Sequence, residues 1–142
     1  MSILGSPERL SGVNSPAASM KEGALKYLCL VYIEERELDA MSESELGALI
    51  DESLAYDEVL RNSGHYLVSD ALQPVQAAAT IRVRNGKLSI TDGPFAETKE
   101  QLGGFILIDA RDLNEAIQVA SKIPPARLGS VEVRPVMELR QQ

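Results

Sequence analysis

What the chain has little of sets its first limits. Among 142 residues there is one cysteine, Cys29, one histidine, His65, and no tryptophan. A single thiol forbids an internal disulfide, and one cysteine with one histidine cannot close a zinc site. No apolar run approaches the roughly 18 residues that a membrane span requires. The opening MSILGSPERLSGVNSPAASMKEG lacks the compact apolar core of a secretory signal. Neither "LGG" nor "NG" has the glycine spacing before a helix that a phosphate loop demands. Several carboxylates could hold magnesium loosely, but none of their spacings is diagnostic. Basic residues are outnumbered, 14 against 21 acids, which leaves a net charge of −7. Such a surface repels a phosphate backbone and makes nucleic acid a poor partner. The expectation is a cytoplasmic protein without metal, cofactor or membrane anchor.

What is present fits one domain. Residues 1–24, rich in Ser, Gly, Pro and Ala, read as a flexible N-terminal extension, with the folded domain over 25–140. Within Glu34–Glu58 ten acids accompany Arg36 alone. That run is either a solvated helix face or a docking surface for a basic partner.

KYLCLVYI is a short, nearly continuous apolar run, as in a buried central strand, and it places Cys29 in the core. A helix follows. Ser42 and Glu45 have capping-box spacing, Met41 and Leu46 fit the hydrophobic staple, and Gly64 stops it. Leu46, Leu49, Ile50, Leu54 and Leu60 line one face. HYLVSDALQP reads as a second strand. AAATIRVRNGKLSIT reads as a hairpin turning at Asn85-Gly86, with Ile81, Val83, Leu88 and Ile90 alternating beside the turn. GGFILIDA is another buried strand. Asp112 and Glu115 cap a second helix carrying Leu113, Ala116, Ile117, Ala120 and Ile123, which Pro124-Pro125 ends. The last strand, GSVEVRPVMEL, turns Val131, Val133 and Val136 inward.

The order is β-α-β-β-β-β-α-β. Without the hairpin it is the split β-α-β arrangement of ferredoxin-like α+β folds. Two helices cover one face of such a sheet. The other face needs a partner, and two copies facing each other would close a dimeric α+β barrel with a cavity.

The segment TDGPFAETKEQLGG, Thr91–Gly104, admits two readings. As architecture, Asp92, Gly93 and Pro94 re-aim the chain, Phe95 plugs an apolar gap, and Gly103-Gly104 lets a backbone or ligand pass close. As chemistry, Asp92 at a strand end, followed by Glu97, Lys99 and Glu100, puts carboxylates beside an ammonium that could bind a polar ligand or move a proton.

DGPFAETKEQLGGFILIDA, the upstream LQP and ATIRVRNGK, and the closing GSVEVRPV resemble the DGPF group of YCII-related proteins over roughly Lys26 to Met137. The resemblance implies a dimeric α+β barrel with a small cavity thought to be an active or ligand site. Some relatives on that fold catalyse proton transfer or elimination on small ring compounds, such as muconolactone isomerisation. It also implies a link to extracytoplasmic-function sigma factors. Shorter relatives carry a His on the first helix paired with an Asp. Here ESELGALIDESLAYDEVLRN contains no His, so that dyad does not transfer.

The function expected is cofactor-independent acid/base chemistry on a small metabolite in a polar cavity near Asp92. Asp92 is the candidate proton carrier and His65 a second candidate, histidine being the side chain whose charge changes most readily near neutral pH. Glu97, Lys99 and Tyr32 are candidate substrate-binding residues. The alternative is a non-catalytic ligand sensor or interaction module, docking a sigma factor through the acidic helix.

Overall fold

A computed structural model describes residues 25–139, so the expected extension over 1–24 lies outside it. Four strands, β1 (Leu25–Ile33), β2 (Tyr66–Ala71), β5 (Gln101–Ala110) and β6 (Gly129–Pro135), form an antiparallel sheet in the order β2-β5-β1-β6. Strands β3 (Ala79–Arg84) and β4 (Lys87–Asp92) pair only with each other, as a separate hairpin. The helices are α1 (Glu35–Asp39), α2 (Glu43–Asn62) and α3 (Leu113–Ala120). With the hairpin set aside, the sheet order is that of a ferredoxin-like unit. The short α1 was not foreseen in the sequence.

Alternation places the core. Tyr27, Cys29, Val31 and Ile33 of β1 are all buried, and so are Ile106 and Ile108 of β5 on the same face. Ala116, Val119 and Ala120 of α3, Leu60 of α2 and Ile123 complete that layer. Tyr56 Oη donates to the Val119 carbonyl at 2.7 Å and ties α2 to α3. On the opposite face of the sheet, Leu28 and Leu30 are half-buried.

Local signals hold at the helix ends. Ser42 and Glu45 form the reciprocal capping box. At the far end, His65 N–H donates to the Leu60 carbonyl and Gly64 N–H to that of Arg61, with Gly64 at φ +82°. That is a Schellman closure, which needs the left-handed conformation glycine supplies. The hairpin turns at Asn85 and Gly86, both at positive φ.

In one chain the four-stranded sheet is open and the hairpin stands apart among the described residues; the barrel is expected of two copies facing each other. Several expectations about side-chain packing are corrected. Of the α2 stripe only Leu49 and Leu60 are buried, while Leu46, Ile50 and Leu54 are exposed. Leu113 and Ile117 are exposed on α3, and Val119 takes the inward place. Val136 lies past the end of β6 and is exposed. Phe95, expected to plug a gap, is 79% exposed. Each of these residues belongs to an apolar pattern whose cover the described residues do not provide. No helix among the described residues is long and apolar enough to cross a membrane.

Candidate functional site

One polar cleft, of about 380 Å³, opens beside the segment that ends the hairpin. Its lining comes from α1 and its entry (Glu34, Glu35, Arg36, Asp39), from Val75, and from Thr98, Lys99 and Gln101. The volume is at the lower end of the range for small-molecule sites, about 300–1,000 Å³.

Gln101 is the joint. Its Oε1 accepts from the Glu35 backbone N–H at 2.8 Å, while its Nε2 donates to the carbonyls of Thr98 at 2.6 Å and Lys99 at 3.2 Å. The side-chain amide thus satisfies an orphan donor at the start of α1 and fixes the loop carrying Lys99. Glu35 extends the joint, accepting from the Val75 backbone N–H at 3.0 Å. Its charge serves a 3-10 turn (Val75–Ala77). Glu34 is engaged as well, by Arg36 at 2.5 Å. Two lining charges remain without a hydrogen-bond or ion-pair partner among the described residues, the Lys99 ammonium and the Asp39 carboxylate.

Lys99 is therefore the only one of the five residues singled out in the sequence that lines the cleft. Asp92 is exposed at the end of β4, opposite Ala79, and its carboxylate meets no partner among the described residues. The backbone around it is held instead, by Gly93 N–H to the Ala78 carbonyl at 2.7 Å and by the Thr80 hydroxyl to the Gly93 carbonyl at 2.8 Å. Gly93 itself has φ +103°. The turn therefore uses the glycine for shape and leaves the aspartate unbound. Glu97 is exposed. Tyr32 is half-buried on β1, between Leu102 and Ser130 in register.

His65 lies elsewhere. The Schellman closure seats it, and its carbonyl accepts from Asp109 N–H near the far end of β5. Gln101 and Asp109 are eight residues apart on that strand, about 27 Å. His65 Nδ1 is 2.7 Å from the Ser63 hydroxyl and Nε2 is 3.5 Å from Glu115 Oε1. The Arg111 backbone N–H and guanidinium hold the Glu115 carboxyl below its ordinary range, with His65 adding to the effect. A third cluster joins α2 to β2. Tyr66 Oη is 2.9 Å from Ser69 Oγ, which donates to Asp57 Oδ2 at 3.1 Å, and Arg61 stacks 4.3 Å from the Tyr66 ring centre. Burial pushes the Asp57 carboxyl up, against the pull of Ser69 and Arg61.

The sequence reading missed Glu35, Arg36, Asp39 and Gln101. Glu35 and Asp39 were absorbed into the long acidic run, and Gln101 has no charge to attract notice. The available signal was position: Gln101 ends the charged segment where β5 begins.

Two comparisons bear on kinship. The family model described as the YCII-related domain matches residues 25–140. A protein of Rhizobium meliloti (strain 1021), called "Uncharacterized protein R00369", is 39% identical over 112 residues, which cover 78% of this chain and 90% of that protein.

Proposed function

The chain belongs to the YCII-related family, and from that premise we propose that it is a cytoplasmic small-ligand-binding protein whose cleft captures an anionic metabolite. One observation carries the reading. In a cleft where Glu34 and Arg36 neutralise each other and Glu35 is spent on Val75, Lys99 presents an ammonium with no partner among the described residues. A carboxylate entering there meets an available cation, and a second, cationic group on the same molecule would meet Asp39.

Acid/base chemistry on the captured molecule is the finer form of the proposal, with Asp92 as proton carrier and Glu97 and Lys99 placing the substrate. The exposure of Asp92 and its place outside the lining favour capture over turnover. The test is calorimetric titration with glycine, succinate and acetate, on wild type and on Lys99→Ala. Saturable binding of at least one probe, weakened tenfold or more in the variant, is expected. Equal binding by both proteins would remove Lys99 from the site, and no binding to wild type would end the reading.

The exposed, acid-flanked helix α2 favours a second reading, an interaction module working with a sigma factor. Reversing Glu43, Asp51 and Glu52 to lysine should then abolish capture of the sigma factor while leaving the fold intact. A retained complex would discard that surface.

A further inference from the structure

The charges that line the cleft of about 380 Å³ do not add up to an anion trap. Three acids, Glu34, Glu35 and Asp39, stand against two bases, Arg36 and Lys99. The chain around them carries a net charge of −7. A ligand with a carboxylate and nothing else would gain Lys99 but meet a net acidic lining. A single exposed ion pair is also weak, because water competes and the side chain loses freedom. Two such pairs made by one molecule reinforce each other when the protein holds their positions in advance.

The pairing inside the cleft leaves one charge of each sign. Glu34 and Arg36 hold each other at 2.5 Å, and Glu35 accepts from the Val75 backbone N–H at 3.0 Å. Lys99 and Asp39 have no hydrogen-bond or ion-pair partner among the described residues. They stand on different segments, the loop that leads into β5 and the last position of α1. Gln101 joins those segments. Its side chain accepts from the Glu35 N–H at the start of α1 and donates to the Thr98 and Lys99 carbonyls. The Thr98 hydroxyl stiffens the same loop by donating to the Glu100 carbonyl at 2.5 Å. One amide therefore sets the spacing of the backbones that carry the two remaining charges.

The rest of the lining narrows the class. Val75 is the one apolar side chain among the described lining residues, and Glu35 pins its turn. No aromatic ring is among them, so a quaternary ammonium would find no face to sit on. An ammonium with N–H groups can instead donate to Asp39 as a charge-assisted hydrogen bond. We propose that the cleft takes a short aliphatic amino acid, its carboxylate on Lys99, its ammonium on Asp39 and its hydrocarbon part against Val75. The inference rests on ligand capture at Lys99 and adds the second charge that selects the ligand.

Calorimetric titration at pH 7 with valine, isovalerate and isobutylamine tests it, because the last two are valine without its ammonium and valine without its carboxylate. Wild type should bind valine at least tenfold more tightly than either. Asp39→Asn should weaken valine at least tenfold and strengthen isovalerate, since one repelling carboxylate is gone. Asp39 and Lys99 are both exposed, so neither substitution opens the core. If Asp39→Asn moved both probes in the same direction, α1 would merely be disturbed and the proposal would fall. Isovalerate bound as tightly as valine, and weakened by Lys99→Ala, would overturn the amino acid and leave anion capture standing. Isobutylamine bound alone would overturn both, and so would three silent titrations.

Discussion

At the scale of single residues, burial raises two groups, the thiol of Cys29 and the carboxyl of the half-buried Asp57, with different consequences at neutral pH. Cys29 has no exposed surface, and burial lifts its thiol from 9.0 to about 11. The unfolded thiol ionises first, so its contribution to stability is complete below pH 9 and lost as the pH climbs toward 11. Two pH units correspond to about 2.7 kcal/mol. Cys29→Ala should cost about 1 kcal/mol at pH 7 in urea unfolding, and that deficit should shrink or reverse at pH 10.5. A deficit that stays constant would show that the thiol is not the titrating group. Asp57 is also raised, by burial first, although Ser69 and Arg61 pull against it. Here the protonated form is the favoured one, so the contribution is present in acid and lost as pH rises through the folded pKa. At neutral pH the carboxylate is a net cost. Asp57→Asn keeps the hydrogen bond to Ser69 and should raise the melting temperature at pH 7 by up to a few degrees, with no gain near pH 3. A lower midpoint at pH 7 would mean that the Ser69–Tyr66 chain requires the charge. A carboxylate kept at such a cost marks a second place where function can be sought.

At the scale of elements, glycines show which constraints are local. Gly47 lies within α2, and a Cβ there would meet nothing within 4 Å. Gly47→Ala should therefore stabilise by about 0.5–1 kcal/mol, through helix propensity and a less flexible unfolded chain. Gly129 begins β6, where a Cβ would fall 1.9 Å from the Tyr32 carbonyl oxygen and 3.0 Å from Ile33 Cα. Gly129→Ala must push β6 away from β1 and should cost 3 kcal/mol or more by chemical denaturation, at or above the upper end of about 1–3 kcal/mol for overpacking. If the two variants were equally stable, the β1–β6 register would have to be other than described. The contrast explains what could be read in advance. Ser42–Glu45, Gly64 and Asn85-Gly86 act over four or five residues, and each appears where its chemistry placed it. Gly104 also fits the expected close approach, since a Cβ would lie 3.0 Å from the Asp70 carbonyl of β2. Gly129 was invisible because its constraint comes from a strand nearly a hundred residues away in sequence. Gln101 was invisible for the same reason, its partner being the backbone of Glu35.

At the scale of the whole molecule, the element order and the buried face of β1 were legible because strand alternation records burial directly. Helical spacing, by contrast, named a stripe on α2 of which only Leu49 and Leu60 are buried. The fate of Phe95, Ile50, Leu54 and the hairpin aliphatics was not legible. Their spacing says that they are covered but not by what, and nothing among the described residues covers them. Had they packed inside one chain, the unfolding midpoint would be independent of concentration. If a second copy covers them, folding and association are linked, and dilution must lower the midpoint by mass action. Wild type should therefore melt several degrees lower after a hundredfold dilution. Ile81→Glu with Ile90→Glu places two charges in the contact and should abolish that dependence. Because both residues are already exposed within the chain, the double variant should retain the far-ultraviolet dichroism of a folded monomer. Dilution-independent melting of wild type would assign the bare aliphatics to a partner of different composition. Loss of structure in the double variant would instead mean that the hairpin supports its own chain.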